Sequence, residues 1–193
     1  MTIFEKQAFI FDMDGTIIDN MAVHVQTWLE MLSGMGIHIT AEEFLTHANG
    51  RTNGQIMRML IDENMSVDEI RLLASRKEAH YRELYGPQMK AVDGFYELVA
   101  QAKEMGIKLA VATSAPRENV DFVLGGLAIR GDFDAVVDAE DIEKSKPDPE
   151  IFLTTAGRLG VEPRECVVFE DSYSGLEAAR RQPRRPQPQG RLR

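Results

Sequence analysis

Ala8-Phe9-Ile10-Phe11-Asp12-Met13-Asp14-Gly15-Thr16 decides the reading of this chain. Its first four residues are an uninterrupted apolar run, short enough for a strand and apolar enough to be buried on both faces. Two carboxylates, a glycine and a threonine then end it as a turn does. The next section reads as mostly helical. Residues 21–32 are amphipathic. Thr40-Ala41-Glu42-Glu43 and Ser66-Val67-Asp68-Glu69 both fit the capping box, which predicts helix starts at Ala41 and Val67. A further helix is expected between Asn53 and Glu63, and Gly86-Pro87 closes the section. Beyond it strands and helices alternate: helix 94–105, strand 108–112, helix 116–124, strand 135–137, helix 150–159, strand 166–169 and helix 175–181. This alternation predicts parallel strands in a layered α/β sheet, with the helical section inserted after the first strand.

Composition narrows the class. The 193 residues are 44% hydrophobic and 27% charged, ordinary for a globular chain with its own core. No apolar run approaches the roughly 20 residues of a membrane span. Met1-Thr2-Ile3-Phe4-Glu5-Lys6 does not have the pattern of a signal peptide. A cytoplasmic protein away from membranes is expected. A single cysteine, Cys166, excludes an internal disulfide and reads as a small buried hydrophobe rather than a reactive thiol. The methionines, among them Met31, Met57 and Met59, read as core filler. A net charge of −9 argues against nucleic acid as a partner.

Ligands of open parallel sheets lie beyond the carboxyl ends of the strands. Four short polar sequences fall there: residues 12–16, 113–115, 138–146 and 170–172. In an extended backbone the spacing of Asp12 and Asp14 points both carboxylates to one side, where they repel. A hard divalent cation relieves that repulsion. Mg²⁺ suits best, because it is held by one or two carboxylates plus phosphate oxygens and water. Glu170 and Asp171 could complete its shell, Lys146 brings a charge for a phosphate, and Thr113 a hydrogen bond. A Ca²⁺ loop is excluded, since its fifth, sixth and twelfth positions counted from Asp12 hold Thr16, Ile17 and Val23. Taken singly, these residues have plainer roles: Asp171 as a helix N-cap, Lys146 as a surface lysine, Thr113 as a strand-end residue. Their joint occurrence at successive strand ends outweighs those roles.

The chain resembles the haloacid dehalogenase (HAD) superfamily, in the subgroup with a helical cap after the first motif. Phe9-Ile10-Phe11-Asp12-Met13-Asp14-Gly15-Thr16 matches the first motif and Val111-Ala112-Thr113-Ser114 resembles the second. Ser145-Lys146-Pro147-Asp148-Pro149 matches the third, and Phe169-Glu170-Asp171-Ser172-Tyr173-Ser174-Gly175 the fourth. The resemblance implies a Rossmann-like core at residues 1–18 and 89–181 and a helical cap at 19–88. It implies Asp12 as nucleophile forming an aspartyl phosphate, and Asp14 as acid and base. It also implies Mg²⁺ on Asp12, the Asp14 main-chain carbonyl and Asp171, with Glu170 in support. Thr113, Ser114 and Lys146 would hold the phosphoryl group.

Within the family, Asp19-Asn20-Met21-Ala22-Val23-His24 with Trp28 resembles the β-phosphoglucomutase group, and Arg76-Lys77 its cap lysine region. His24, Arg51 and Lys77 are therefore expected on the substrate side. The ordinary imidazole pKa near 6.5 would suit His24 to proton transfer or phosphate contact. The group's second phosphate clamp, an arginine, aligns with Asn53, and Arg51 lies two positions earlier. Loss of that clamp favours a phosphatase of small phosphorylated sugars, acting as a monomer, over a mutase. A third reading is an inactive or destabilised chain. Residues 182–193 hold three prolines, four arginines and one aliphatic residue where the family has another strand. They read as a disordered basic tail produced by a frameshift, leaving the sheet one strand short and the protein weakened.

Overall fold

The computed structural model describes residues 3–48 and 51–181. Four strands form one parallel sheet: β1 (Ala8–Phe11), β2 (Lys108–Ala112), β3 (Ala135–Val137) and β4 (Cys166–Phe169), in the order β3-β2-β1-β4. The central strand β1 is buried at every position, as its apolar run requires. Ala8 pairs with both Lys108 and Cys166, so the three strands start level; β4 ends level with β1 and β2 runs one residue further.

Among the described residues eight α-helices accompany them: α1 (Met21–Gly34), α2 (Ala41–Ala48), α3 (Asn53–Leu60), α4 (Val67–Tyr85), α5 (Phe95–Glu104), α6 (Arg117–Gly126), α7 (Glu150–Leu159) and α8 (Tyr173–Arg180). Alternation along the strands divides the apolar side chains between two layers. Phe9, Phe11, Leu109 and Val111 pack with Phe95, Val99, Val120 and Leu124 of α5 and α6. Ala8, Ile10, Ala110 and Ala112 pack with Ile151, Phe152 and Ala178 of α7 and α8. A third cluster, Trp28, Leu32, Phe44, Ile56, Met57 and Met65, belongs to the inserted helices alone. The last turns of α4 depart from it: Tyr81 and Tyr85 are buried in the sheet-side cluster, so this helix ties the insertion to the core.

The capping boxes act as read. Thr40 and Glu43 exchange hydrogen bonds ahead of α2, and Ser66 and Glu69 cap α4. A third box, Thr52 with Gln55, starts α3. Three readings need correction. Ser172, not Asp171, caps α8 through its hydroxyl, because the helix begins at Tyr173, one residue later than an Asp171 cap requires. Met59 is exposed, since it lies on the outer face of α3 while Met57 fills the core. Cys166 is half-buried, because β4 pairs on one side only among the described residues, and burial pushes its thiol up to about 11. The expectation for residues 182–193 lies outside the described residues.

Candidate active site

Parallel strands of matched register deliver their last residues to one edge. The ladder runs one step past the strands: Asp12 N–H donates to the Phe169 carbonyl and Thr113 N–H to the Val137 carbonyl. Asp12 is thereby set beside Glu170, and Thr113 beside Asp138.

Lys146 reaches this edge from the loop before α7. Its ammonium donates to Asp12 Oδ1 at 2.6 Å and to Glu170 Oε2 at 2.7 Å, with all three side chains nearly free of solvent. Burial would strip the lysine of its charge, but the two carboxylates outweigh it and hold its pKa above the ordinary value. Burial pushes Asp12 up to about 7, against the pull of Lys146 and with the push of Glu170. The other oxygen of Glu170 accepts from Ser172 N–H and from Ser172 Oγ–H at 2.6 Å, so Glu170 is locked to the start of α8.

Asp171 lies on the open side, with Thr16 Oγ1 3.5 Å from its Oδ1. Burial raises its carboxyl above the ordinary range. Asp12, Glu170 and Asp171 each offer an oxygen, and these oxygens lie within 4.8 Å of one another. Two glycines make room for the arrangement. Gly15 has φ +81°, and a Cβ there would come 2.2 Å from Asp171 Oδ2. A Cβ at Gly175 would come 2.0 Å from the Glu170 carboxyl carbon. Three hard oxygen donors beside one ammonium fit a small divalent cation such as Mg²⁺.

The Asp14 carboxylate is not in this oxygen cluster. β1 has ended by then, and Asp14 turns to accept from Asn20 Nδ2 at 2.7 Å. Desolvation pushes it up to about 6, opposed by that hydrogen bond. The expectation that Asp12 and Asp14 present both carboxylates to one cation is corrected by this turn of the chain.

The structure brings His24 and Lys77 to the Asp14 side. Lys77 Nζ lies 2.8 Å from His24 Nδ1 and donates to Glu78 Oε1 at 3.0 Å. His24 stacks on Tyr81, with ring centroids 3.9 Å apart. Burial and the Lys77 charge press the imidazole down to about 3, so it stays neutral through the physiological range. Its burial thus moves it away from the ordinary value that would suit it to proton transfer. Glu78 gathers three donors: Lys77, Asn53 Nδ2 at 3.0 Å and Asn119 Nδ2 at 2.8 Å. Burial would raise its pKa, but the Lys77 charge and the hydrogen bonds from Lys77 and Asn119 outweigh burial and hold it low.

Arg51 is exposed, and its guanidinium donates to the His47 carbonyl at the end of α2. Among the described residues no hydrogen bond or ion pair joins it to Asp12, Asp14 or Lys146. Thr113 is buried and its Oγ1 accepts from Ala115 N–H, while Ser114 is exposed. Sequence reading missed Asn20, Glu78, Tyr81 and Asn119. Asn20 carries no charge to mark it, and neighbours such as Lys77 and Glu78 are not expected to face each other on a helix. Among the described residues, no helix is long and apolar enough to cross a membrane.

Comparison with known proteins gives the family and the fold. The family model of haloacid dehalogenase-like hydrolases matches residues 9–183. The fructose-1-phosphate phosphatase YqaB of Escherichia coli (strain K12) is 33% identical over 180 residues, covering 92% of this chain and 93% of that protein. A HAD hydrolase of family IA, variant 3, from Entamoeba histolytica superposes with a TM-score of 0.84 at 30% identity, over 90% of this chain and 79% of that one. The β-phosphoglucomutase of Clostridium difficile superposes with a TM-score of 0.78 at 28% identity, over 91% and 80%.

Proposed function

Because the chain belongs to the haloacid dehalogenase-like hydrolase family, we propose that it is a Mg²⁺-dependent phosphatase of small phosphorylated sugars that works through Asp12. The observation that carries this reading is the Asp12 carboxylate, buried, gripped on one oxygen by Lys146 and grouped with Glu170 and Asp171. An oriented carboxylate of this kind is suited to attack phosphorus.

Asp12 forms a bond to phosphorus as the ester oxygen leaves. Asp14, in its protonated form, passes that oxygen its proton, and the sugar departs as an alcohol. Asp14 then takes a proton from water, and the water oxygen displaces Asp12 from phosphorus to give inorganic phosphate. Lys146 offsets the charge that accumulates on the phosphoryl oxygens. The Thr113 hydroxyl already accepts from Ala115, so its own proton is available to a phosphoryl oxygen. Ser114 lies beside it on the exposed side. Asp12, Asp171 and the Asp14 main-chain carbonyl would hold Mg²⁺, with Glu170 supporting from behind. The ion supplies charge neutralisation for attack on an anion. The similarity to a fructose-1-phosphate phosphatase supports a sugar phosphate as substrate.

A β-phosphoglucomutase activity is the second reading, favoured by the structural likeness to that enzyme and by His24 and Lys77 beside Asp14. Asn53 weighs against it. It stands where the resemblance places the second phosphate clamp, and its amide is committed to Glu78. In this reading exposed Arg51, two positions before Asn53, is the cap arginine assigned to a distal phosphate. Phosphate release from a panel of sugar phosphates with Mg²⁺, run beside conversion of β-glucose 1-phosphate to glucose 6-phosphate, separates the readings. Release outrunning isomerisation is expected, and the reverse would replace this reading with the mutase.

A further inference from the structure

Asn20 gives up two favourable arrangements for one contact. It occupies the N-cap position of α1, where asparagine ordinarily accepts a hydrogen bond from the first turn, yet its side chain makes no cap. It is fully buried, and its Oδ1 has no hydrogen-bond partner. Unpartnered buried oxygens are costly and uncommon. What Asn20 gains lies on its amide nitrogen, which donates to Asp14 Oδ1 at 2.7 Å and to Tyr81 Oη at 2.6 Å.

His24 explains why the oxygen stays unpartnered. Its Nδ1 faces the Lys77 ammonium, a donor, so the imidazole proton sits on Nε2, 3.3 Å from the Asn20 amide nitrogen. Turning the amide over would satisfy that N–H. It would also set the amide oxygen 2.7 Å from a carboxylate oxygen, replacing attraction with repulsion. Within this cluster, the contact with the Asp14 carboxyl oxygen is what keeps the nitrogen inward.

We propose that Asn20 is the positioning residue for Asp14. Its amide fixes the carboxyl group in the orientation from which the proton reaches the leaving oxygen. Tyr81, on the helix that ties the insertion to the core, fixes the amide in turn. Proton delivery at Asp14 therefore depends on how α4 is seated. The inference rests on the reading of Asp14 as general acid.

Leaving groups provide the test. A sugar alkoxide needs a proton as it leaves, whereas p-nitrophenolate does not. kcat/KM is measured with Mg²⁺ for fructose 1-phosphate, or the fastest sugar phosphate of the panel, and for p-nitrophenyl phosphate. Asn20→Ala is expected to lower kcat/KM for the sugar phosphate ~100-fold, and for p-nitrophenyl phosphate less than ~3-fold, within the usual span of general acid catalysis. Equal losses on both substrates, or no loss on the sugar phosphate, would overturn the proposal. Asp14→Asn is the control. If it shows the selective loss and Asn20→Ala does not, the positioning role alone has failed. If Asp14→Asn is not selective, the acid assignment has failed and the proposal falls with it. Asn20→Leu, which keeps the volume, and Tyr81→Phe carry the test if Asn20→Ala does not fold. Tyr81→Phe should show the same selectivity at a few-fold size, and a uniform loss there would contradict the link to α4.

Discussion

Two clusters of charge act on Asp14, and they are balanced differently. On the sheet edge Asp12, Glu170 and Asp171 set three carboxylates against one ammonium, Lys146. On the inserted helices Lys77 and Glu78 pair one to one, and Asn53 and Asn119 fill the rest of Glu78. The first group is left short of positive charge, and the second is complete. A cluster short of charge is built for a ligand, whereas a complete one is built to hold helices in place. The sheet edge is thus where chemistry is expected, and the helical side is where orientation is set.

Lys146→Ala should break the contrast most severely. It leaves Asp12 and Glu170 without their ammonium, and turnover should fall ~10³-fold, the scale seen when charge stabilisation is removed. Steady-state kinetics at saturating Mg²⁺ check this, and a loss under tenfold would contradict it. Gly175→Ala comes next. The added methyl displaces the Glu170 carboxylate, so the Mg²⁺ concentration needed for half-maximal rate should rise ~10–100-fold, as for lost support behind a metal ligand. A metal titration of the rate reads it directly.

Glu78→Gln tests the complete cluster. It leaves the Lys77 charge buried without its partner, which should cost about 3 kcal/mol of stability. Denaturant melts should show the same loss with Mg²⁺ as with chelator. A loss that appears only with Mg²⁺ would mean that the two clusters are not separate.

The smallest effect is on pH. The ordinary value for Asp14 is 3.8, and the folded protein holds it near 6. Between those pH values the unfolded chain binds fewer protons than the folded one, so this contribution to stability is lost as pH rises. Asp12, held near 7, extends the window upward. The melting temperature of chelated protein should fall from pH 4 towards pH 7. Mg²⁺ should restore it by binding the folded state. Asp14→Asn should raise the melting temperature of chelated protein at pH 7.5 by about 5 °C.

The sheet edge was legible because its signals are local. β2, β3, β4 and α7 begin and end where their apolar runs and helix patterns do, and the polar residues follow at once. Parallel register then gathers Asp12, Thr113 and Glu170, and the loop before α7 adds Lys146. The helical side was not legible to the same depth. Nothing in Lys77-Glu78 announces that both side chains turn inward. The ordinary pKa of His24 misleads because burial beside Lys77 decides its state. Asn20 is uncharged and ordinary in the sequence, and only the structure shows its amide on Asp14. Asp171 and Ser172 are both good caps, and only the phase of α8 selects between them.

One measurement tests the central claim most directly. The protein is mixed with a sugar phosphate and Mg²⁺, quenched in acid during turnover, reduced with borohydride and digested for mass spectrometry. A phosphorylated carboxylate at Asp12 would be converted to homoserine at position 12, and that product is expected in wild type and absent in Asp12→Asn, which should not turn over. Turnover that continues in Asp12→Asn, or a modified residue other than Asp12, would contradict the account.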